Sequence, residues 1–297
     1  MSRTIYNRIQ LRLLRYLAPF LGDETYVKLH YLFHMLKPLD LKNPKTYNEK
    51  LQWLKLHDKR PEYTQMVDKI AAKEYVANII GNEYIIPTIA IYDKPEDIDF
   101  DQLPNQFVLK VTHDSGGIFV CKDKQTINKR EAIKKMEWGL KRTYYKLNRE
   151  YPYKDVPRRI IAEQYMEDES GYELKDYKIF CFDGKPKLLF VATDRQIHKT
   201  KFDFFDLDWN HLPFTNGHPN SPEPIQKPKN FEKMLEIAAK LSQGIPHVRV
   251  DLYNINGKIY FGEMTFFHWS GIVPFVPEEW DYKIGDMLHL PILQAKS

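Results

Sequence analysis

The spacing of apolar and polar positions changes along the chain. Through about residue 80 the apolar residues recur at helical intervals. In KTYNEKLQWLKL, Thr46 and Glu49 form a capping-box signature ahead of an apolar run. VDKIAAKEYVANIIG keeps the helical period and stops at Gly81. After it the pattern shortens to strand-like runs. YIIPTIAIYD predicts a short strand, and PEDIDFDQLPN a loop. QFVLKVTHDSGGIFVCKDK reads as strand, glycine turn, strand, and TINKREAIKKMEWGLKRTYYKL as one helix. RIIAEQYM predicts a buried strand. DYKIFCF and KLLFVATD predict two more, joined by a hairpin signal that begins at Asp183-Gly184. Residues 206–230, rich in Pro, Asn and His, read as a long loop. NFEKMLEIAAKLSQG predicts a helix capped at Asn230 and ended by Gly244. VRVDLYNINGKIYFGEMTF then reads as two strands meeting at Asn256-Gly257. Helices segregated from antiparallel hairpins predict an α+β protein rather than a regular βαβ winding. No internal repeat and no low-complexity segment interrupts this order.

Composition narrows the class. The chain has 297 residues, enough for a large core, with 43% hydrophobic and 28% charged residues, ordinary values for a globular protein. A net charge of +4 suits an anionic ligand but is too small and dispersed to imply a nucleic-acid partner. The two cysteines, Cys121 and Cys181, lack metal-like spacing and read as buried thiols in a reducing compartment, hence a cytoplasmic location. No apolar run approaches bilayer length, and no signal peptide is recognisable. The segment SRTIYNRIQLRLLRYLAPFL carries Arg3, Arg8, Arg12 and Arg15 with no acid before Asp23. Ile5, Ile9, Leu13 and Leu17 recur in it at helical spacing. The expectation is a helix that docks on its own protein with its arginines in water. The alternative is contact with an anionic membrane surface, the inner membrane.

Candidate chemistry begins with the last hairpin. Like charges at facing positions destabilise a sheet, yet Asp251 and Glu263 would face each other if the turn held three residues centred on Gly257. A two-residue turn would send them to opposite faces. Facing carboxylates suit Mg²⁺, and Thr265 on the same face would add a weak oxygen ligand. The plainer alternative is a solvated polar face beside Arg249. In FVLKVTHDSGG, Lys110 sits in an apolar strand before Ser115, Gly116 and Gly117, where backbone N–H groups would cradle a phosphate. An edge-strand lysine beside a hairpin turn explains the same pattern. Asp176 and Lys178 share one face of a strand, and KLLFVATDR ends in Arg195. Lys110, Lys178 and Arg195 together would suit a triphosphate. The histidines show no metal spacing. Asp206-x-Asp208 matches the pattern with which metal-dependent glycosyltransferases hold a nucleotide sugar, though paired aspartates near turns are common.

In order, these pieces resemble the ATP-grasp superfamily. The phrases LKNPKTYNEKLQWLKLHD, LPNQFVLKVTHDSGG, RIIAEQYM, DYKIFCFDGKPK, VRVDLYNINGKIYFGEMTF and EEWDYKIGDMLHLP are similar to its TupA-like branch, linked to teichuronopeptide and capsular polysaccharide biosynthesis. The resemblance implies an ATP-grasp fold of two α+β subdomains clasping the nucleotide. It implies a helical region at 1–80, a small lid subdomain at 81–160 and a large subdomain at 161–297. ATP and Mg²⁺ are the implied cofactors. Lys110, Ser115, Gly116, Gly117, Asp176 and Lys178 would bind phosphate, and Glu163, Tyr165 and Met166 the adenine. Asp251, Glu263 and Thr265 would hold the metal, and Arg195 and Arg249 the reacting anion. Thr265 departs from the family's Asn, which bears on a second metal. The implied reaction joins a carboxylate to an amine of a carbohydrate or amino-acid substrate through an acyl phosphate. A glycosyltransferase, a sugar kinase and a nucleotide-binding scaffold that meets polysaccharide assembly machinery at the inner membrane through the N-terminal helix are the alternatives.

Overall fold

The computed structural model describes residues 3–114, 116–171, 173–195 and 199–292, with side chains from residue 9 onward. Five helices open the chain: α1 (Arg3–Leu17), α2 (Asp23–Met35), α3 (Tyr47–His57), α4 (Glu62–Val67) and α5 (Ala71–Ile80). The capping box at α3 is present, with Thr46 Oγ1 accepting from the Glu49 N–H and Glu49 from the Thr46 N–H. α1 does dock on its own protein, but through Leu14 and the following Ala18, which pack with Tyr26. Ile9, Leu13 and Leu17, the stripe expected from the sequence, face outward. The helix carries two apolar faces and the chain covers one of them.

The first sheet has the order β1-β4-β2-β3, all antiparallel, from β1 (Thr88–Tyr92), β2 (Phe107–Val111), β3 (Ile118–Cys121) and β4 (Ile160–Gln164). Alternation decides its two faces. Phe107, Leu109, Val111, Ile160 and Ala162 pack with Ala132 and Met136 of α6 (Lys129–Lys141). Val108, Lys110, Ile118, Val120 and Glu163 take the other face. The expected single helix over TINK…YYKL is broken. α6 ends at Lys141, the backbone of Arg142 is extended, and α7 (Tyr144–Asn148) follows. Arg142 is held there by an ion pair with Asp114 at 3.2 Å, by stacking on Trp138, and by the hydrogen bond its carbonyl accepts from His113.

The second sheet has the order β10-β9-β5-β6-β7. Its strands are β5 (Asp176–Phe182), β6 (Lys185–Thr193), β7 (Lys201–Phe205), β9 (His247–Ile255) and β10 (Lys258–Thr265). β7 has no strong sequence signal. Inside the expected 206–230 loop, β8 (Thr215–Asn216) pairs with β11 (Phe275–Val276). α8 (Phe231–Leu241) covers one face of the second sheet, and α9 (Glu279–Met287) packs on α3. Asn230 does not cap α8 with its side chain. It stands at φ 59° and donates instead to the Gly257 carbonyl, 2.7 Å away, bolting the last hairpin's turn to the helix start.

That turn has two residues, not three. Asn256 and Gly257 both have positive φ, at 53° and 90°, and Ile255 pairs with Lys258. Left alone, this register would put Asp251 and Glu263 on opposite faces. A β-bulge between Phe261 and Glu263 inserts Gly262 as an extra residue and restores the Glu263–Asp251 pairing. A Cβ on Gly262 would lie 3.0 Å from the Asp251 carbonyl oxygen. Gly262→Val should therefore destabilise the protein by ~1–3 kcal/mol in urea unfolding. Gly22→Ala, with nothing within 4 Å of the new methyl, should change little.

Candidate active site

The face of the first sheet opposite α6 and the face of the second sheet opposite α8 line one cavity of about 950 Å³. Lys69, Lys73, Lys110, Lys122, Lys178, Arg195 and Arg249 line it, against the carboxylates of Glu163, Asp176 and Glu263. This surplus of positive charge suits a polyanion.

On the first sheet, Glu163 is the anchor. Its two oxygens meet Lys73 Nζ at 2.5 Å and Lys110 Nζ at 2.6 Å. Burial alone would raise its pKa, but the Lys110 and Lys73 ammoniums outweigh burial and hold it at about 2. Lys73 also donates to the Ile86 carbonyl, and Lys69 to the Asp114 carbonyl at 2.7 Å. Tyr165 and Met166 follow β4 along the cavity wall. Gly116 and Gly117 are not in that wall. A Cβ on Gly117 would meet Val111 at 2.5 Å and Gly139 at 3.3 Å, so here this glycine serves close packing of the hairpin on α6. Ser115 lies outside the described residues.

On the second sheet, register assembles a charged array. Lys178, Asp251 and Glu263 stand side by side across β5, β9 and β10. Arg249 grips Asp251 with both prongs, Nε to Oδ1 at 2.7 Å and Nη2 to Oδ2 at 2.8 Å. Lys178 pairs with Asp251 as well, and with Asp176 Oδ2 at 2.6 Å. Half-exposed Arg195 reaches the same Asp176 oxygen at 2.8 Å. Asp176 Oδ1 is buried with no hydrogen-bond partner among the described residues. Within the chain, then, Arg249 and Lys178 compensate the facing acids.

The third prong of Arg249, Nη1, lies 2.8 Å from His268 Nδ1, and His268 Nε2 lies 2.8 Å from Asn216 Oδ1. Arginine only donates, so Nδ1 accepts and Nε2 carries the proton. Burial, aided by Arg249, keeps that imidazole neutral. Thr265 Oγ1 accepts from Arg249 at 3.0 Å and lies 3.3 Å from Glu263 Oε1. Glu263 is held loosely, 3.4 Å from Arg249, with 41% of its side chain exposed to the cavity.

The chemistry of these donors fits Mg²⁺. Glu263 offers hard oxygens facing a phosphate-sized space, and Asp176 keeps one unspent buried oxygen. Asp251 has both oxygens committed to Arg249 and Lys178. Among the described residues no group of three or more His, Cys, Asp or Glu forms a ready-made cage.

The cavity wall also carries His34, Tyr144, Asn148, Tyr153 and Trp269. Trp269 and Ser270 stand at φ 48° and 54°, left-handed values that cost non-glycine residues about 1–3 kcal/mol each. Buried polar residues of α3 hold them there. Gln52 Nε2 donates to the carbonyls of Ser270 and Gly271 at 2.9 and 2.7 Å. Lys55 Nζ donates to the Ser270 carbonyl and hydroxyl, both at 2.7 Å. Glu150 is buried close by.

Sequence reasoning missed Lys69, Lys73, Gln52, Lys55, Glu150 and Ser270. Lys69 and Lys73 are four apart on a helical pattern, a spacing that any solvated face shows. The Asp206-x-Asp208 pair stays outside the cavity. Asp206 accepts from the backbone of Asp208 and Asn210 at 3.0 and 2.8 Å and from Asn210 Nδ2 at 2.9 Å, which makes it a turn residue.

A model of the TupA-like ATPgrasp family matches residues 49–289, and the chain belongs to that family. The search of curated proteins found no match. Similar solved structures include the D-alanine–D-alanine ligase of Bacillus anthracis complexed with ATP, at TM-score 0.40 and 15% identity, covering 76% of this chain and 68% of that one. The D-alanine–D-alanine ligase of Helicobacter pylori matches at TM-score 0.42 and 13% identity, over 75% of this chain and 61% of that one. The ATP-grasp ligase PsnB, in a complex with a phosphomimetic precursor variant, Mg and ADP, matches at TM-score 0.42 and 9% identity, over 80% and 63%.

Two buried carboxylates should show opposite pH behaviour. Burial pushes Glu150 up to about 7, with Lys55 pulling the other way. The folded state then binds the extra proton between pH ~4.5 and 7, so this contribution is full below ~4.5 and lost as pH rises through 7. Glu163, held at about 2, contributes above ~4.5 and loses its contribution as pH falls toward 2. Unfolding in urea from pH 3 to 8 checks both. The wild-type advantage over Glu150→Gln should shrink with rising pH, and that over Glu163→Gln with falling pH.

Proposed function

We propose that this protein is an ATP-dependent ligase of surface polysaccharide biosynthesis that joins a carboxylate to an amine. The observation carrying this reading is the cation-lined cavity between two sheets, in a chain of the TupA-like ATPgrasp family. Adenine would lie between Val108, Ile118 and Val120 on one side and Leu174 and Phe261 on the other, beside the backbone of Tyr165 and Met166. Lys110 and Lys178 would bind phosphates as point charges, and Glu163 would keep Lys110 charged and in place. Mg²⁺ would be held by Glu263 and the unspent oxygen of Asp176, with Thr265 beside Glu263 and Asp251 keeping Arg249 and Lys178 in place, and would neutralise phosphate oxygens.

The acceptor carboxylate would attack the γ-phosphoryl group, forming an acyl phosphate and releasing ADP. An amine would then form the amide and release phosphate. Arg249 and Arg195 would stabilise charge on the transferring group. Lys69, in the cavity wall, donates to the Asp114 carbonyl, and closure over bound ATP would exclude water. Trp269, Tyr144 and Asn148 in the cavity wall would offer ring faces and an amide to a sugar of the acceptor. Free buried thiols and ATP as substrate accord with a cytoplasmic location. Asp206 is engaged in its own turn outside the cavity, which counts against the glycosyltransferase reading.

The test is a thermal-shift titration with Mg-ATP and, separately, with sugar nucleotides. Ligand at about ten times Kd should stabilise the wild type by about 1.4 kcal/mol. Lys110→Ala and Glu263→Ala should each lose the Mg-ATP shift. A shift only with a sugar nucleotide, unchanged in Glu263→Ala, would overturn the ligase reading.

A further inference from the structure

α1 presents an apolar stripe that the fold does not use. Ile9, Leu13 and Tyr16 are 50%, 57% and 76% exposed, and Phe20, just past the helix, is 81% exposed. Helical spacing puts these residues on one side and the docked Leu14 and Ala18 on the other. Single exposed apolar residues need no explanation, but a contiguous stripe of them on one helix does. Its charge is one-sided too. Arg12 and Arg15 flank the stripe, both exposed and without a carboxylate partner among the described residues. The same helix carries Arg3 and Arg8, and no acid occurs before Asp23.

We propose that the outward face of α1 docks the protein on an anionic lipid bilayer. The stripe would enter the boundary between headgroups and acyl chains while the arginines meet lipid phosphates, the two signals that surface binding requires. The helix lies on the surface, because no described helix is long and apolar enough to cross a membrane. A second copy of the chain fits the face less well. An isologous pairing would bring two arginine edges together with no acid on either face to neutralise them. This inference is independent of the ligase reading.

Co-sedimentation of the full chain with large unilamellar vesicles tests it. Vesicles of equal parts phosphatidylglycerol and phosphatidylcholine should carry down the protein at 0.1 M salt at least tenfold better than pure phosphatidylcholine. Leu13→Glu/Phe20→Glu, and separately Arg12→Glu/Arg15→Glu, should each reduce binding at least tenfold while keeping the wild-type melting temperature, since all four positions are exposed. Equal sedimentation with both vesicles, or variants that bind like wild type, would overturn the proposal. So would a wild-type dimer in light scattering that Leu13→Glu dissociates without any vesicle binding.

Discussion

A buried carboxylate in a sheet must have its charge matched, and the second sheet is arranged around that requirement. Asp251 is 1% exposed and shares both oxygens between Arg249 and Lys178. Burial still pushes its pKa up to about 6 despite those cations. Removing one partner from such an array would leave a charge without compensation in low dielectric. Arg249 extends the constraint beyond the sheet. Through His268 and Asn216 it reaches the carbonyls of Val273 and Pro274, so loop position and sheet charge are coupled. Glu263, loosely tied and facing the cavity, is where the array meets a ligand.

The N-terminal helices are part of the site rather than an appendage. α3 buries Asn48, Gln52 and Lys55 at successive helical turns, and all three bond carbonyls or the hydroxyl of the 270–273 segment. Lys69 and Lys73, from the same region, face the cavity near Glu163. The polar surface of α3 looks unremarkable in one dimension because its partners lie more than two hundred residues away. Burial turns it into a clamp that sustains two consecutive left-handed residues, Trp269 and Ser270.

Much of the architecture was legible because it depends on local signals. The capping box at Thr46, the Asn-Gly and Asp-Gly turns, and the alternation in FVLKV and RIIAE each act within a few residues. Where the reading failed, a distant contact had overridden the local pattern. Arg142 breaks a continuous helical period because Asp114 and Trp138 hold it. Asn230 gives up its cap to the Gly257 carbonyl. Gly117, which reads as a phosphate cradle, packs against Val111 and Gly139.

The α+β class, the family and the identity of most charged residues at the cavity can be read without the fold, since composition, periodicity and motif order are properties of the chain alone. Which charges meet depends on the folded chain. Asp251 and Glu263 face each other through a bulge at Gly262 and a two-residue turn, because strand parity is a count that one inserted residue reverses. Compensation by Arg249 and Lys178, and the supply of Lys69 and Lys73 from the helices, arise because folding brings together groups that no spacing along the chain relates.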